Sequence, residues 1–274
     1  MKTIVLKKQK VDPAKLKRKF AEERDCEEII EGFFRLIDEE TNELVAINAP
    51  ISNEVASQNL REALKAVKNW TVASRGSGLK TTSKVFGYQP RNPIRQRPFC
   101  HRGVLAKEQP QVHQMICDFA PIAEEIFKQE NPKGYQAQRE LMLEEVKPEW
   151  RIKGTMFTSG IANNNNALGY HRDRGNFEDY WSAMAVFRQN IEGGNLIVKD
   201  YGIKIKFSDA SIFFFNGQKW WHGVTPIKKL SNEAYRYTVV YYALKEMWKC
   251  MSIEDELTYA IKTRKETELK RLKK

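Results

Sequence analysis

Cysteine is scarce in this chain, with four in 274 residues. Cys26, Cys100, Cys117 and Cys250 form no CxxC pair, and their spacings match no zinc finger. Four free thiols, buried or partly buried, are therefore expected, with no disulfide framework. Long apolar runs are also missing, and none approaches the roughly 20 residues of a membrane-spanning helix. The opening stretch MKTIVLKKQKVDPAKLKRKF passes from a short apolar patch straight into lysines. It lacks the long apolar segment and small-residue cleavage site of a secretory signal. An intracellular protein without a membrane partner is expected: cytoplasmic or nuclear, or in the host cell if phage-encoded. Histidine is as rare as cysteine, four in all, so chemistry that needs an imidazole has few places to reside.

What is present is enough for a folded core. Hydrophobic residues make up 41% and aromatics 11%, which argues against disorder. The length fits one large domain with decorations, or two small ones. Formal net charge is +11. Lys and Arg concentrate at both ends and in residues 75–102. Such a balance favours an acidic partner, nucleic acid first, although charged tails also serve solubility alone.

Read along the chain, residues 13–25 suggest a polar helix with DP as its start signal. IIEGFFRLID and NELVAINAP suggest two strands around a turn. Residues 53–70 have helical spacing, with Val55, Leu60, Leu64 and Val67 on one face. Residues 71–106 are rich in Gly, Pro, Ser and Arg and read as a long irregular segment. Residues 108–148 carry two helical patterns broken near NPKG. From residue 150 onward the runs are short and β-rich, as in a barrel or two-sheet sandwich. The last stretch, 250–274, reads as a basic helix, and no internal repeat is evident. The class expected is α+β, with a helical N-terminal half supporting a C-terminal β-core.

The chemistry concentrates in that core. ALGYHRDRGN holds His171 and Asp173 two residues apart. On a strand these point the same way, presenting an imidazole and a carboxylate together. HxD alone is a weak motif. His222 follows an aromatic strand and an NG turn 51 residues on. Two histidines and one carboxylate form the facial triad of non-haem Fe(II) oxygenases, leaving coordination positions open. A closed zinc site would need a fourth ligand, and none lies nearby in sequence. The alternative for His222 is a core-edge histidine beside two tryptophans. Arg236 interrupts the apolar strand EAYRYTVVYYAL. A charge there is costly unless paired, and a ligand carboxylate would pair it bidentately. Thr238, two residues on, faces the same way and could add a hydrogen bond. The other reading of Arg236 is a salt bridge to one of the chain's own acids.

In order, HxD at 171–173, GG-x-L at 193–196, the aromatic strand ending in His222, and Arg236-x-Thr238 resemble the Fe(II)/2-oxoglutarate dioxygenases. Within them the chain is most similar to the branch holding the ten-eleven translocation and J-binding-protein (TET/JBP) nucleobase oxygenases. The likeness covers about residues 150–245. It implies a double-stranded β-helix (jelly-roll, cupin-like) core with supporting N-terminal helices. It also implies one dioxygenase domain over residues 1–274: helical support at 1–149 with a substrate loop at 74–103, catalytic core at 150–245, and a basic C-terminal helix at 246–274. His171, Asp173 and His222 would be the catalytic ligands of Fe(II), and Arg236 with Thr238 would bind 2-oxoglutarate, with O2 as co-reactant. The implied reaction turns the cosubstrate into succinate while hydroxylating a methyl group on a base. The cysteine-rich zinc-binding region of animal members is missing, as is a separate J-base-binding domain. The chain therefore resembles the compact members of protists and phages.

For substrate, the expectation is a pyrimidine in DNA: 5-methylcytosine oxidised to 5-hydroxymethylcytosine or further, with thymine second. A base inside a duplex must be flipped out to reach a metal, which calls for phosphate clamps and stacking groups. Segment 74–103 interleaves basic and aromatic residues, and Arg75, Phe86, Tyr88, Arg91 and Arg95 are the candidates. Asn165, within NNNN at 163–166, could read a base edge, or the run could be a polar turn. Two alternatives stand beside this reading. One is a hydroxylase of the same fold acting on a protein side chain or small molecule. The other is a non-catalytic nucleic-acid-binding module on an oxygenase scaffold. A monomer is expected.

Overall fold

The strand Ser211–Phe215 (SIFFF) is buried along its whole length. Ile212 and Phe214 enter one hydrophobic cluster, Phe213 and Phe215 another. A strand with apolar groups on both faces must lie in a sheet covered on both sides, and that is how the molecule is layered. The computed structural model describes residues 1–17, 19–74, 80–92 and 97–272.

In chain order the first strands are β1 (Lys2–Leu6), β2 (Glu28–Glu31), β3 (Phe34–Asp38), β4 (Leu44–Pro50), β5 (Thr71–Ser74), β6 (Lys80–Gln89) and β7 (His101–Arg102). The core strands are β8 (Ser159–Asn164), β9 (Leu168–His171), β10 (Ser182–Gln189), β11 (Ile191–Gly193), β12 (Leu196–Val198) and β13 (Ile203–Lys206). They continue as β14 (Ser211–Phe215), β15 (His222–Val224), β16 (Ile227–Lys229) and β17 (Tyr235–Tyr242). The helices are α1 (Pro13–Leu16), α2 (Glu54–Ala66), α3 (Val104–Glu108), α4 (Pro110–Asp118), α5 (Ala120–Glu130), α6 (Pro132–Glu145) and α7 (Ile253–Leu272).

The large sheet runs β1-β3-β4-β14-β10-β17-β8-β6-β5, with β7 on β6, and the smaller sheet runs β2-β13-β12-β15-β9. From β8 the chain passes back and forth between the two: β8 large, β9 small, β10 large, β12 and β13 small, β14 large, β15 small, β17 large. This antiparallel winding is the double-stranded β-helix. Phe213, Phe215, Val186, Leu196 and Val224 fill the space between the sheets. Helices α2 and α4 to α6 cover the outer face of the large sheet, where Leu60, Leu64, Ile116, Phe127 and Met142 meet Ala183, Phe187 and Phe214. Each of the fully buried Leu, Ile, Phe and Met side chains contributes roughly 1.5–3 kcal/mol through removal of apolar surface from water.

Several expectations are corrected. The N-terminal half is not a helical support alone, because β1, β3, β4, β5 and β6 extend the large sheet. Residues 71–106, read as irregular, contain the ten-residue strand β6, which pairs with both β5 and β8. Hydrogen-bond partners on both sides override a loop-like composition. Helix 13–25 shrinks to α1 and a 3-10 turn at Glu23–Asp25. Residues 104–145 hold four helices, because Pro starts α4 and α6 and lies in the first turn of α5. Val55 is 73% exposed, while Leu60 and Leu64 are buried. Cys100 and Cys250 form a disulfide across 150 residues of sequence, so the expectation of four free thiols fails for this pair. So distant a pair leaves no local spacing pattern to read. Cys26 and Cys117 are free and buried. No helix among the described residues is long and apolar enough to cross a membrane.

Candidate metal centre and cosubstrate cavity

His171 ends β9 and His222 begins β15, and the two are direct cross-strand partners. Their rings lie 4.3 Å apart, centroid to centroid. Asp173 follows in the turn after β9, held there because its N–H donates to the Gly217 carbonyl at 2.9 Å. Its carboxylate oxygens lie 3.5 Å from His171 Nε2 and 3.8 Å from His222 Nε2. One donor atom from each of the three falls within 4.8 Å of the others. Gly217 is required at its position: a Cβ would lie 2.2 Å from Asp173 Oδ2.

The tautomers follow from the backbone. His171 Nδ1 donates to the Gly169 carbonyl at 2.9 Å, and His222 Nδ1 to the Trp220 carbonyl at 3.0 Å. A carbonyl only accepts, so the proton sits on Nδ1 and each Nε2 offers a lone pair toward Asp173. Burial pushes the His222 imidazole down to about 4, and the neighbouring His171 adds to this, while Asp173 and the Trp220 carbonyl act the other way. His222 is thus neutral at physiological pH, the form in which an imidazole can take a metal.

A cavity of about 310 Å³ between the sheets has the triad on its wall and Arg236 and Thr238 further along. Arg236 is 2% exposed. Its Nε and Nη2 have no hydrogen-bond partner among the described residues. Burial pushes its guanidinium down to about 9, with the charge of Arg188 second. Arg188 is its cross-strand partner on β10. A buried cation with two orphaned donors and a second cation behind it fits an anionic ligand, and a carboxylate matches the guanidinium fork. The close approach needs Gly194, where a Cβ would meet Arg236 Cδ at 2.7 Å. Thr238 Oγ1 accepts from Asn163 Nδ2 at 3.1 Å, and Asn163 Oδ1 accepts from Asn166 Nδ2 at 2.9 Å. The residues present therefore fit both a divalent metal and a dicarboxylate.

The suggested substrate residues are dispersed. Arg75 and Arg95 lie outside the described residues. Phe86 is 0% exposed, its ring packed over Gly160, where a Cβ would meet it at 2.0 Å. No base can reach it, and its role is core packing. Tyr88 is half-buried, edge-on to Trp150 at 5.4 Å. Arg91 donates to Glu256 Oε1 at 2.6 Å and lies over the Tyr259 ring, so its charge is engaged by α7. Asn165 adopts φ 50° and pairs with the backbone of Arg236: its Oδ1 accepts from Arg236 N at 2.7 Å. Its neighbours Asn163 and Asn166 line the cavity instead. Of the run NNNN, Asn163 and Asn164 end β8, and only Asn165 stands in the bend after it, where it holds the backbone of Arg236. Sequence reading did not find the parts of Gly217 or Arg188, which arise only from contacts between segments distant in sequence.

A double-stranded β-helix carrying a His-x-Asp…His triad and a buried arginine defines the class of Fe(II)/2-oxoglutarate oxygenases. More specifically, the chain belongs to the Tet_JBP family, the oxygenase domain of the 2OGFeDO superfamily, whose family model matches residues 88–245, more than half of the chain. Among curated proteins, the bifunctional helicase and thymine dioxygenase JBP2 of Trypanosoma brucei brucei (strain 927/4 GUTat10.1) is 26% identical over 121 residues. The match takes in 44% of this chain but only 11% of that relative. Among solved structures, NgTET1 in complex with 5mC DNA superimposes with a TM-score of 0.63 at 14% identity, covering 96% of this chain and 90% of that one. That likeness is one of fold.

Proposed function

We propose that this domain hydroxylates the methyl group of a pyrimidine base in DNA, with 5-methylcytosine the favoured substrate and thymine the second. The observation that carries the oxygenase part is the single cavity that has the triad and an orphaned, buried arginine on its wall. In this reading His171 Nε2, His222 Nε2 and the Asp173 carboxylate hold Fe(II). Arg236, backed by Thr238, takes the far carboxylate of 2-oxoglutarate. When bound, the pair supplies oxidative decarboxylation of the cosubstrate coupled to hydroxylation of a C–H bond. The chain's own part is positioning. Arg236 is fixed by the Asn165 turn, so it orients the cosubstrate along the cavity. Apolar walls from Met184, Phe213 and Val240 exclude water from the reacting end. The substrate part draws on family membership, on the thymine dioxygenase activity of the trypanosome relative, on the 5mC DNA bound to NgTET1 and on the +11 charge. The base would enter flipped from its stack, with segment 74–103 as the DNA-facing stretch.

The test is direct. Purified protein is incubated with Fe(II), 2-oxoglutarate, ascorbate and DNA carrying 5-methylcytosine, and the nucleosides are profiled by mass spectrometry. Hydroxymethylated pyrimidine in the complete reaction, and none with the His171→Ala variant, is the expected result. Succinate release without any oxidised base on any DNA tested would move the assignment to a protein or small-molecule substrate. No turnover at all would leave a nucleic-acid-binding module.

A further inference from the structure

One buried carboxylate lies on the side of the triad away from the cavity and reaches both ligand-bearing strands. Asp200 sits in the 3-10 turn Lys199–Tyr201 between β12 and β13 and is 4% exposed. Its Oδ2 accepts the Trp221 backbone N–H at 2.6 Å, at the residue directly before His222. Its Oδ1 lies 3.5 Å from Arg172 Nη2, and Arg172 stands between His171 and Asp173. The Arg172 guanidinium also lies 5.3 Å from the centroid of the Trp221 ring. Strand alternation explains the layout: Arg172 and Trp221 face away from the cavity because the ligands beside them face into it. The turn itself is fixed, since Lys199 N–H donates to the Trp221 carbonyl at 2.8 Å and Gln9 N–H to the Asp200 carbonyl at 2.7 Å.

The backbone ladder alone is a poor ruler here. β9 and β15 pair at His171–His222 and Leu168–Val224, with a register shift between these two pairs. The ladder is irregular beside the His171–His222 pair, and a side-chain bridge adds a second tie between the two segments. We propose that Asp200 is a positioning residue of the metal centre, setting the separation of His222 from His171 and Asp173 through Trp221 N–H and Arg172. Loss of its carboxylate leaves a buried peptide N–H without its acceptor and a guanidinium without its counter-charge, and both belong to residues adjacent to the triad. Nothing on the cavity wall changes. This role rests on the reading that the triad holds a divalent metal.

The experiment is a titration of the metal-free protein with Co(II) alone, followed by its visible absorption, for the unmodified chain, Asp200→Asn, Asp200→Ala and Arg172→Met. Outer groups that orient metal ligands typically carry about 10- to 100-fold in affinity. Asp200→Ala is expected to bind Co(II) about 10- to 100-fold more weakly, with a shifted absorption band. Asp200→Asn keeps an acceptor for Trp221 N–H and should fall between. Arg172 has a 36% exposed side chain, and its variant should weaken binding in the same direction, by less than Asp200→Ala. A merely structural Asp200 would lower the unfolding midpoint and leave the folded protein's Co(II) affinity and spectrum unchanged, which overturns the proposal. Unweakened binding by Arg172→Met overturns it as well, and needs no folded Asp200 variant. If the unmodified protein binds no Co(II) while the fold is intact, the metal reading fails and the positioning role falls with it.

Discussion

A charge that is buried without a partner is a burden on the fold, and Arg236 carries one. Its Nε and Nη2 have no partner among the described residues, and Arg188 repels it from the next strand. Replacing such a group by an apolar chain of similar length removes a desolvation penalty, a change worth roughly 1–4 kcal/mol in comparable cases. We expect Arg236→Met to unfold at a higher temperature than the unmodified protein when no dicarboxylate is present. Adding 2-oxoglutarate with a divalent metal at saturation should reverse the order: a ligand at 1,000 times its dissociation constant stabilises by about 4.1 kcal/mol. The variant should show no such shift. Differential scanning calorimetry with and without 2-oxoglutarate makes the comparison. A variant that is less stable in both conditions would mean that Arg236 serves the fold rather than a ligand.

Among the elements, the 3-10 turn Glu23–Asp25 ties the N-terminal segment to the smaller sheet. Glu23 accepts from the Thr225 hydroxyl, from the Asn195 amide at 3.0 Å and from Lys204 at 3.0 Å. Burial raises its pKa, but these hydrogen bonds together outweigh burial and hold it below its ordinary value of 4.5. A carboxylate with a depressed folded-state pKa adds stability above its unfolded value, and that stability is lost as pH falls through the folded value. Glu23→Gln should therefore be less stable than the unmodified chain at pH 7, and the gap should close as pH drops below about 4.5. Urea unfolding at pH 7 and at pH 4 and below tests this, and a gap that stays constant with pH would contradict it. The turn also shows what a sequence conceals. His171, Asp173 and His222 can be picked out because the chemistry narrows the residue types, and the order of strands around them is read from alternation. Strand β6 is hidden, since its β-formers Thr81, Thr82, Val85, Phe86 and Tyr88 lie among Gly-, Pro- and Arg-rich stretches, and its pairing with β5 and β8 shows only in the fold. The same holds for Asp200 and Gly217, whose neighbours in space are far away in sequence. Phe86 looked like a stacking group in a basic loop, yet Gly160 opposite it makes room for its ring in the core.

For the whole molecule, the net charge of +11 makes a prediction that the cavity does not. Cations that neutralise phosphates release condensed counterions, so the logarithm of the DNA association constant falls linearly with that of salt, by about 0.9 per phosphate contact on duplex DNA. Part of the chain's positive charge is already engaged within the protein. Arg91 is paired with Glu256 and stacked on Tyr259. Lys84 is buried against Glu108. Lys204 is held by Glu23. Arg75 and Arg95 come from the same basic stretch and are the proposed phosphate contacts. Exchanging both for Gln should flatten the salt slope by about 2 and weaken binding to all DNA sequences alike. Arg91→Gln should leave the slope close to that of the unmodified protein, because its charge is already spent on α7. Fluorescence anisotropy of a labelled duplex across a salt series gives all three slopes. An unchanged slope in the Arg75/Arg95 double variant would remove segment 74–103 from the DNA-facing surface, and a larger loss from Arg91→Gln would mean that the Glu256 pair opens when DNA binds.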